Sequence, residues 1–233
     1  MRTHALHIAN GIVNAPVSLL FGLFAAAAVA LCVTRARREL DDRLVPMAGL
    51  VAAFVFAVQM LNFPVVPGVS GHLLGGALAA VLVGPWLGAL CVTVVLVVQA
   101  LVFADGGVTA IGLNVTNMAL LHTAVAYAVV TLVLRLLPRG AGGLTAAVFA
   151  GSVVATVAAS LGFVVQYWWG GVGPLPDGGL VAVAATTAGV HVLIGVGEGL
   201  ITAATVGAVA RARPDLVYLL RARTRPLVAG GVA

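Results

Sequence analysis

Residues Ala15 to Thr34 read APVSLLFGLFAAAAVALCVT, and Arg35-Ala36-Arg37-Arg38 follows at once. The run carries no charge, and a helix of about 20 residues at 1.5 Å each crosses a hydrocarbon core of roughly 30 Å. No polar face recurs along it, as one would on a helix lying against a water-soluble core. A positive cluster placed after the first span, not before it, holds that end in the cytoplasm. The amino terminus is therefore expected outside. No cleavable signal is expected, because Met1 to Val13 has one arginine and no apolar core of its own.

The whole chain repeats this character. Of its 233 residues, 62% are hydrophobic and 8% charged, against about 25% charged in an ordinary soluble domain. Lipid has to be its solvent. The net charge of +5 comes from arginine alone, since there is no lysine; with the Ala, Gly and Val excess this suggests a GC-rich bacterial genome and a bacterial plasma (inner) membrane. The arginines fall in short clusters between apolar runs, which orients helices and does not point to nucleic acid. Cys32 and Cys91 lie inside apolar segments and read as small core residues.

Seven apolar segments can be placed: Ala15 to Thr34, Val45 to Asn62, Gly71 to Gly84, Trp86 to Phe103, Leu113 to Leu134, Leu144 to Trp168 and Leu180 to Ala210. The third is too short for a full span and is stopped by Gly84-Pro85, so a half-length helix is expected. Arginines follow the first, fifth and seventh segments, whereas the loops after the second, fourth and sixth carry only Asp105 and Asp177. Seven crossings put every arginine cluster on one face, with the carboxyl end in the cytoplasm. The fold class is an all-α polytopic membrane protein. Trp168 and Trp169 then belong to the outer interface and Trp86 to the inner one. Gly170 to Gly179 is an outer turn-rich loop. Small residues such as Ala25 to Ala28, Gly75, Gly76, Ala79 and Ala80 permit close helix packing. No Lys-Ser or Lys-Thr follows any glycine-rich stretch, so the chain lacks a phosphate loop.

Few polar residues remain, and they need reasons. His7 precedes the first span and His72 opens the third, both on the predicted outer face. Imidazole is the commonest protein ligand for late first-row metals, and its neutral form binds them at physiological pH. Either ring alone reads more readily as an ordinary interfacial histidine; their shared face, with no other ionisable group there, points to ligation. The loop carrying Ser70 presents His72. His191 and Glu198 lie about two turns apart on one face of the seventh span. Glu198 is about 20 Å of helix from Arg211, near mid-membrane, and His122 lies as far from Arg135, so the two are expected to pair. An interhelical strut and a role in substrate passage stand equal for that pair. His191, higher up, is expected to support the His72 site from behind, as are Asn114 and Asn117 at the outer end of the fifth span; helix capping is an equal reading for the two asparagines.

His7-Ile8-Ala9-Asn10-Gly11 resembles the amino-terminal Met-His-Ile-Pro-Asp/Glu-Gly signature of the CbiM/NikM family, the substrate-capture components of energy-coupling-factor cobalt and nickel transporters. Further stretches resemble it in order: Ala52 to Pro64, Ser70-Gly71-His72-Leu73-Leu74-Gly75, Gln99 to Gly107 and His191 to Thr202. The resemblance implies a planar site of four nitrogens: a terminal amine, the backbone nitrogen and imidazole of the second residue, and a later histidine. Carried over, His7 and His72 are the imidazoles and Leu6 supplies the amine. Such a set suits nickel or cobalt. Because Met1 to Ala5 precede Leu6, translation is expected to begin at the codon of Leu6, read as Met. His4 stands one residue too far from Met1 to complete the same chelate. Ala9-Asn10 replace Pro and an acidic residue of the signature, which removes a charge near the site.

The expected organisation is a metal-binding segment over residues 1–14, a seven-helix membrane domain over 15–213 and a basic cytoplasmic tail over 214–233. The resemblance implies Ni(2+) or Co(2+) as transported substrate and no permanent cofactor. It also implies a transmembrane coupling subunit, two ATPase subunits and a small accessory membrane subunit as partners, so the chain itself is no enzyme. The alternatives are an ion-coupled secondary carrier with His122 and Glu198 as relay, and a membrane scaffold whose polar residues only join helices.

Overall fold

The computed structural model of the chain describes residues 7–61, 63–66, 69–137 and 141–224. Helices α1 (Ala15–Ala36), α4 (Pro85–Val102), α5 (Val108–Leu136), α6 (Ala141–Gly170) and α7 (Gly179–Ala212) are each long and apolar enough to cross a membrane. Helix α2 (Leu44–Gln59) is shorter at 16 residues. The seven expected segments are thus five long helices, one short one and a fragment.

Local chemistry sets the ends. The Asn14 side chain accepts from Val17 N at 3.1 Å and Pro16 occupies the first turn of α1, while Arg35 complements the negative end of its dipole. The Asp41 carboxylate accepts from Leu44 N at 2.7 Å and starts α2. Gly84 ends one helix and Pro85 begins the next. Within α5 the stretch Val115–Leu121 widens to a π-helix, a local irregularity that is frequent at functional sites.

The fragment is the hub. Of the third segment, only α3 (Gly76–Val83) is helical, eight residues or about 12 Å. Gly71 to Gly84 are all buried, ringed by the other helices. Before α3 the chain forms a small antiparallel hairpin, β1 (Phe63–Val66) with β2 (Val69–Gly71), where sequence periodicity gave no strand. Non-helical backbone at membrane depth is tolerated only inside protein, and this segment has that shelter.

The two ends of the bundle differ in chemistry. At one end the arginine-bearing loops meet. Arg35 lies over the Trp86 ring at 5.7 Å, Tyr218 Oη donates to Glu39 at 2.9 Å, and Arg221 and Arg43 pair with Asp41 and Asp215. The first residues of the expected basic tail pack against the bundle. Pro214–Leu216 turns the chain into α8 (Tyr218–Thr224), burying Val217 and Leu219 in the core beneath α3. At the other end lie the amino-terminal segment, the hairpin, the loop after α4 and the loop after α6. There Asn14 N donates to Gly170 O at 2.7 Å and Val172 N to Ile12 O at 3.0 Å. Trp168 and Trp169 are exposed at that end.

Candidate metal centre

At the arginine-free end the two predicted histidines meet. The rings of His7 and His72 stand 4.8 Å apart, centroid to centroid, tilted by 31°. They are 3% and 4% exposed, so both imidazoles have left water.

Each ring is held by its Nδ1. His72 Nδ1 lies 2.7 Å from the Leu73 carbonyl, which can only accept, so this nitrogen carries the proton. His7 Nδ1 lies 3.0 Å from Asp105 Oδ1, an acceptor as well. Both Nε2 atoms are buried and without a hydrogen-bond partner. A buried, unpaired ring nitrogen is costly unless something else takes it up. A metal does so with its lone pair.

Asp105, in the loop after α4, is held below the usual carboxylate range by its hydrogen bond from His7. A carboxylate behind the distal nitrogen of a ligating histidine fixes its tautomer and raises its basicity.

Loops press the His7 segment into place. The Asn114 amide grips the Ile8 peptide on both sides, its Oδ1 accepting from Ile8 N at 2.9 Å and its Nδ2 donating to Ile8 O at 3.1 Å. Gly107 N donates to the same carbonyl at 3.0 Å. The Asn10 side chain accepts from both Thr109 N and Thr109 Oγ1. Gly106 sits at φ +93°, and a β-carbon there would lie 3.0 Å from that of His7, so only glycine fits.

The remaining predicted residues divide. Asn114 joins the site, whereas Asn117 forms a reciprocal amide pair with Gln166 at 2.8 and 3.1 Å, between α5 and α6. His191 donates Nδ1–H to Thr187 O at 2.8 Å, within its own helix. His122 and Glu198 do meet, at 3.4 Å and fully buried, but Glu198 also takes the backbone N–H groups of Leu74 and Gly75. Leu6 and the Ser70 side chain lie outside the described residues. Sequence reasoning gave no role to Asp105; a lone acid in an arginine-free loop is the signal that could have found it. Gln59, which donates to Leu74 O at 2.7 Å, carried no such signal.

Among the described residues, no three His, Cys, Asp or Glu side chains converge on one point as in a resident metal centre. Two imidazoles do converge. The chelate implied by the resemblance, in which the backbone nitrogen and ring of His7 hold one metal, closes only through Nδ1. Here that atom faces Asp105.

The chain is similar to known metal transport proteins. A protein of Haloquadratum walsbyi named for metal transport is 36% identical, over 91% of this chain and 94% of its own. A protein of Archaeoglobus fulgidus named as a fused nickel transport protein is 38% identical, over 91% of this chain and 68% of its own. A solved structure, that of a transition metal transporter, matches with a TM-score of 0.75 over 94% of this chain and 98% of its own; at 24% identity the likeness is one of fold. Residues 7–216 match the family CbiM, described as the cobalt uptake substrate-specific transmembrane region, and the chain belongs to that family of multi-pass membrane proteins for cobalt and nickel transport.

Proposed function

We propose that this chain is the metal-capture subunit of an ATP-driven energy-coupling-factor importer, taking divalent nickel or cobalt from outside the bacterial inner membrane. The observation that carries this reading is the buried pair of imidazoles, each fixed through Nδ1 and each with Nε2 unpaired. Two unpaired imidazole nitrogens on neighbouring rings suit late first-row metals and disfavour magnesium or calcium, which prefer oxygen. The metal is cargo. A planar set that also uses the amine of a chain begun at Leu6 and the backbone nitrogen of His7 requires the His7 ring to turn, so that Nδ1 leaves Asp105 and meets the metal.

The topology proposed with it is seven passages, amino end outside and carboxyl end in the cytoplasm. Its support is the meeting of the arginine-bearing loops at one end of the bundle and of the histidine-bearing loops at the other. Helix α3 serves as the inner half of the third passage, and the hairpin with the stretch to Gly75 as its outer half. ATP hydrolysis resides in two partner ATPases, relayed by a transmembrane coupling subunit and assisted by a small accessory membrane subunit.

Isothermal titration of the purified chain with Ni(2+) and Co(2+) tests the site. His7→Ala and His72→Ala are each expected to abolish tight binding. Wild-type affinity in both would leave the protein a scaffold. Metal uptake that persists without any ATPase partner would favour an ion-coupled carrier.

A further inference from the structure

Glu198 sits at mid-bundle on α7, yet its carboxyl group does not spend its acceptors on another side chain alone. Its Oε2 accepts from Leu74 N at 2.9 Å and its Oε1 from Gly75 N at 3.1 Å. These are the N–H groups just ahead of α3, which has no capping side chain of its own. They also lie two and three residues beyond His72. Gln59 of α2 grips the same stretch from the other side, donating to Leu74 O at 2.7 Å. The peptide units that follow the ligand are thus clamped at both a donor and an acceptor.

Behind Glu198 stand two further helices. His122 Nε2 of α5 lies 3.4 Å from Oε1, and Thr156 Oγ1 of α6 lies 3.4 Å from Oε2. His122 Nε2 is also 3.3 Å from Thr156 Oγ1. His122 in turn crowds Gly76, where a β-carbon would collide with its Nδ1. All of these side chains are at most 1% exposed. In so dry a setting hydrogen bonds to an acidic side chain are strong, and an unpaired donor is expensive.

We infer that Glu198 is a positioning residue for the metal ligand His72, holding its loop by the Leu74 and Gly75 amides and tying metal affinity to the spacing of α5, α6 and α7. The inference rests on the reading of His7 and His72 as the capture site. A carboxyl group serves here because two parallel N–H donors need two acceptor oxygens. An amide in its place turns one NH2 group against a backbone N–H.

The test uses the full chain purified in detergent, with Ni(2+) as probe. Glu198→Gln is expected to weaken Ni(2+) binding about tenfold to hundredfold, the usual cost of losing a group that orients a ligand, and to shift the visible d–d band of the bound ion. Gln59→Met is expected to move the same two readouts in the same direction, and stands in if Glu198→Gln does not assemble. Gln166→Leu, which breaks the buried Asn117–Gln166 pair, itself without a hydrogen bond to the His72 loop, is the control and is expected to leave both unchanged. Wild-type affinity and spectrum in Glu198→Gln, or in Gln59→Met, overturn the inference. An equal loss in Gln166→Leu also overturns it, since the effect is then general loosening. His72→Ala separates the two readings: if it retains tight binding, the capture site itself is wrong, whereas its loss beside an unaffected Glu198→Gln sinks only the clamp.

Discussion

Asp105 Oδ1 lies 3.0 Å from His7 Nδ1, across 98 residues of chain and between two separate loops. The contact occupies Nδ1 of His7 and leaves Nε2, which no hydrogen bond satisfies, as the ring nitrogen open to a metal. Asp105→Ala is therefore expected to lower Ni(2+) affinity about tenfold to hundredfold. Asp105→Asn, which keeps an oxygen acceptor for Nδ1–H, is expected to lose less. Titration calorimetry on the three proteins checks the order. A gain in affinity for Asp105→Ala would mean that the carboxylate competes with the metal for Nδ1, as chelation through the backbone nitrogen of His7 requires.

Asn114 does for the first ligand segment what Glu198 does for the second. Its amide both accepts from and donates to the Ile8 peptide, and the side chain is buried. Asn114→Leu leaves Ile8 N without that acceptor, a loss of about 1–3 kcal/mol for a buried group. The expected result is a loosened amino-terminal segment, seen as faster amide hydrogen exchange over Ile8 to Val13 and weaker metal binding. Unchanged exchange there would show that Gly107 and Thr109 hold the segment without Asn114.

The close approach at Gly76 is a test of packing alone. A β-carbon there meets His122 Nδ1, Thr123 Oγ1 and the Thr123 backbone nitrogen. These belong to a helix, not to the flexible tip of a long side chain. Gly76→Ala is expected to cost about 1–3 kcal/mol, the usual range for overpacking, and to lower the melting temperature in detergent. A melting temperature equal to wild type would mean that α5 yields at little cost.

The long helices are legible in the sequence because an apolar run of spanning length needs no knowledge of its neighbours. Ala15–Ala36 and Gly179–Ala212 depart from the expected ends by only a few residues. His7 and His72 are legible because polar residues are few and their face follows from arginine placement. Three features are not. The pairing of Phe63–Val66 with Val69–Gly71 lies in a Pro- and Gly-rich stretch that has no alternating apolar pattern to announce a strand. The docking of α8 beneath α3 depends on space left by a helix of eight residues. The bond from Glu198 to Leu74 joins a side chain to a backbone 124 residues away, and backbone donors leave no mark in composition.

The two imidazoles also give metal binding a pH signature. His72 Nδ1 faces the Leu73 carbonyl and His7 Nδ1 faces Asp105, so Nε2 is the ring nitrogen left to each. A proton and a metal compete for that one lone pair, and a histidine must be unprotonated there to ligate. Ni(2+) affinity is therefore expected to fall as the solution is made more acidic, with the loss greater for wild type than for His72→Asn. Titration calorimetry at stepped pH checks this. An affinity that stays constant from neutral to strongly acidic solution would mean that the metal is not held by imidazole.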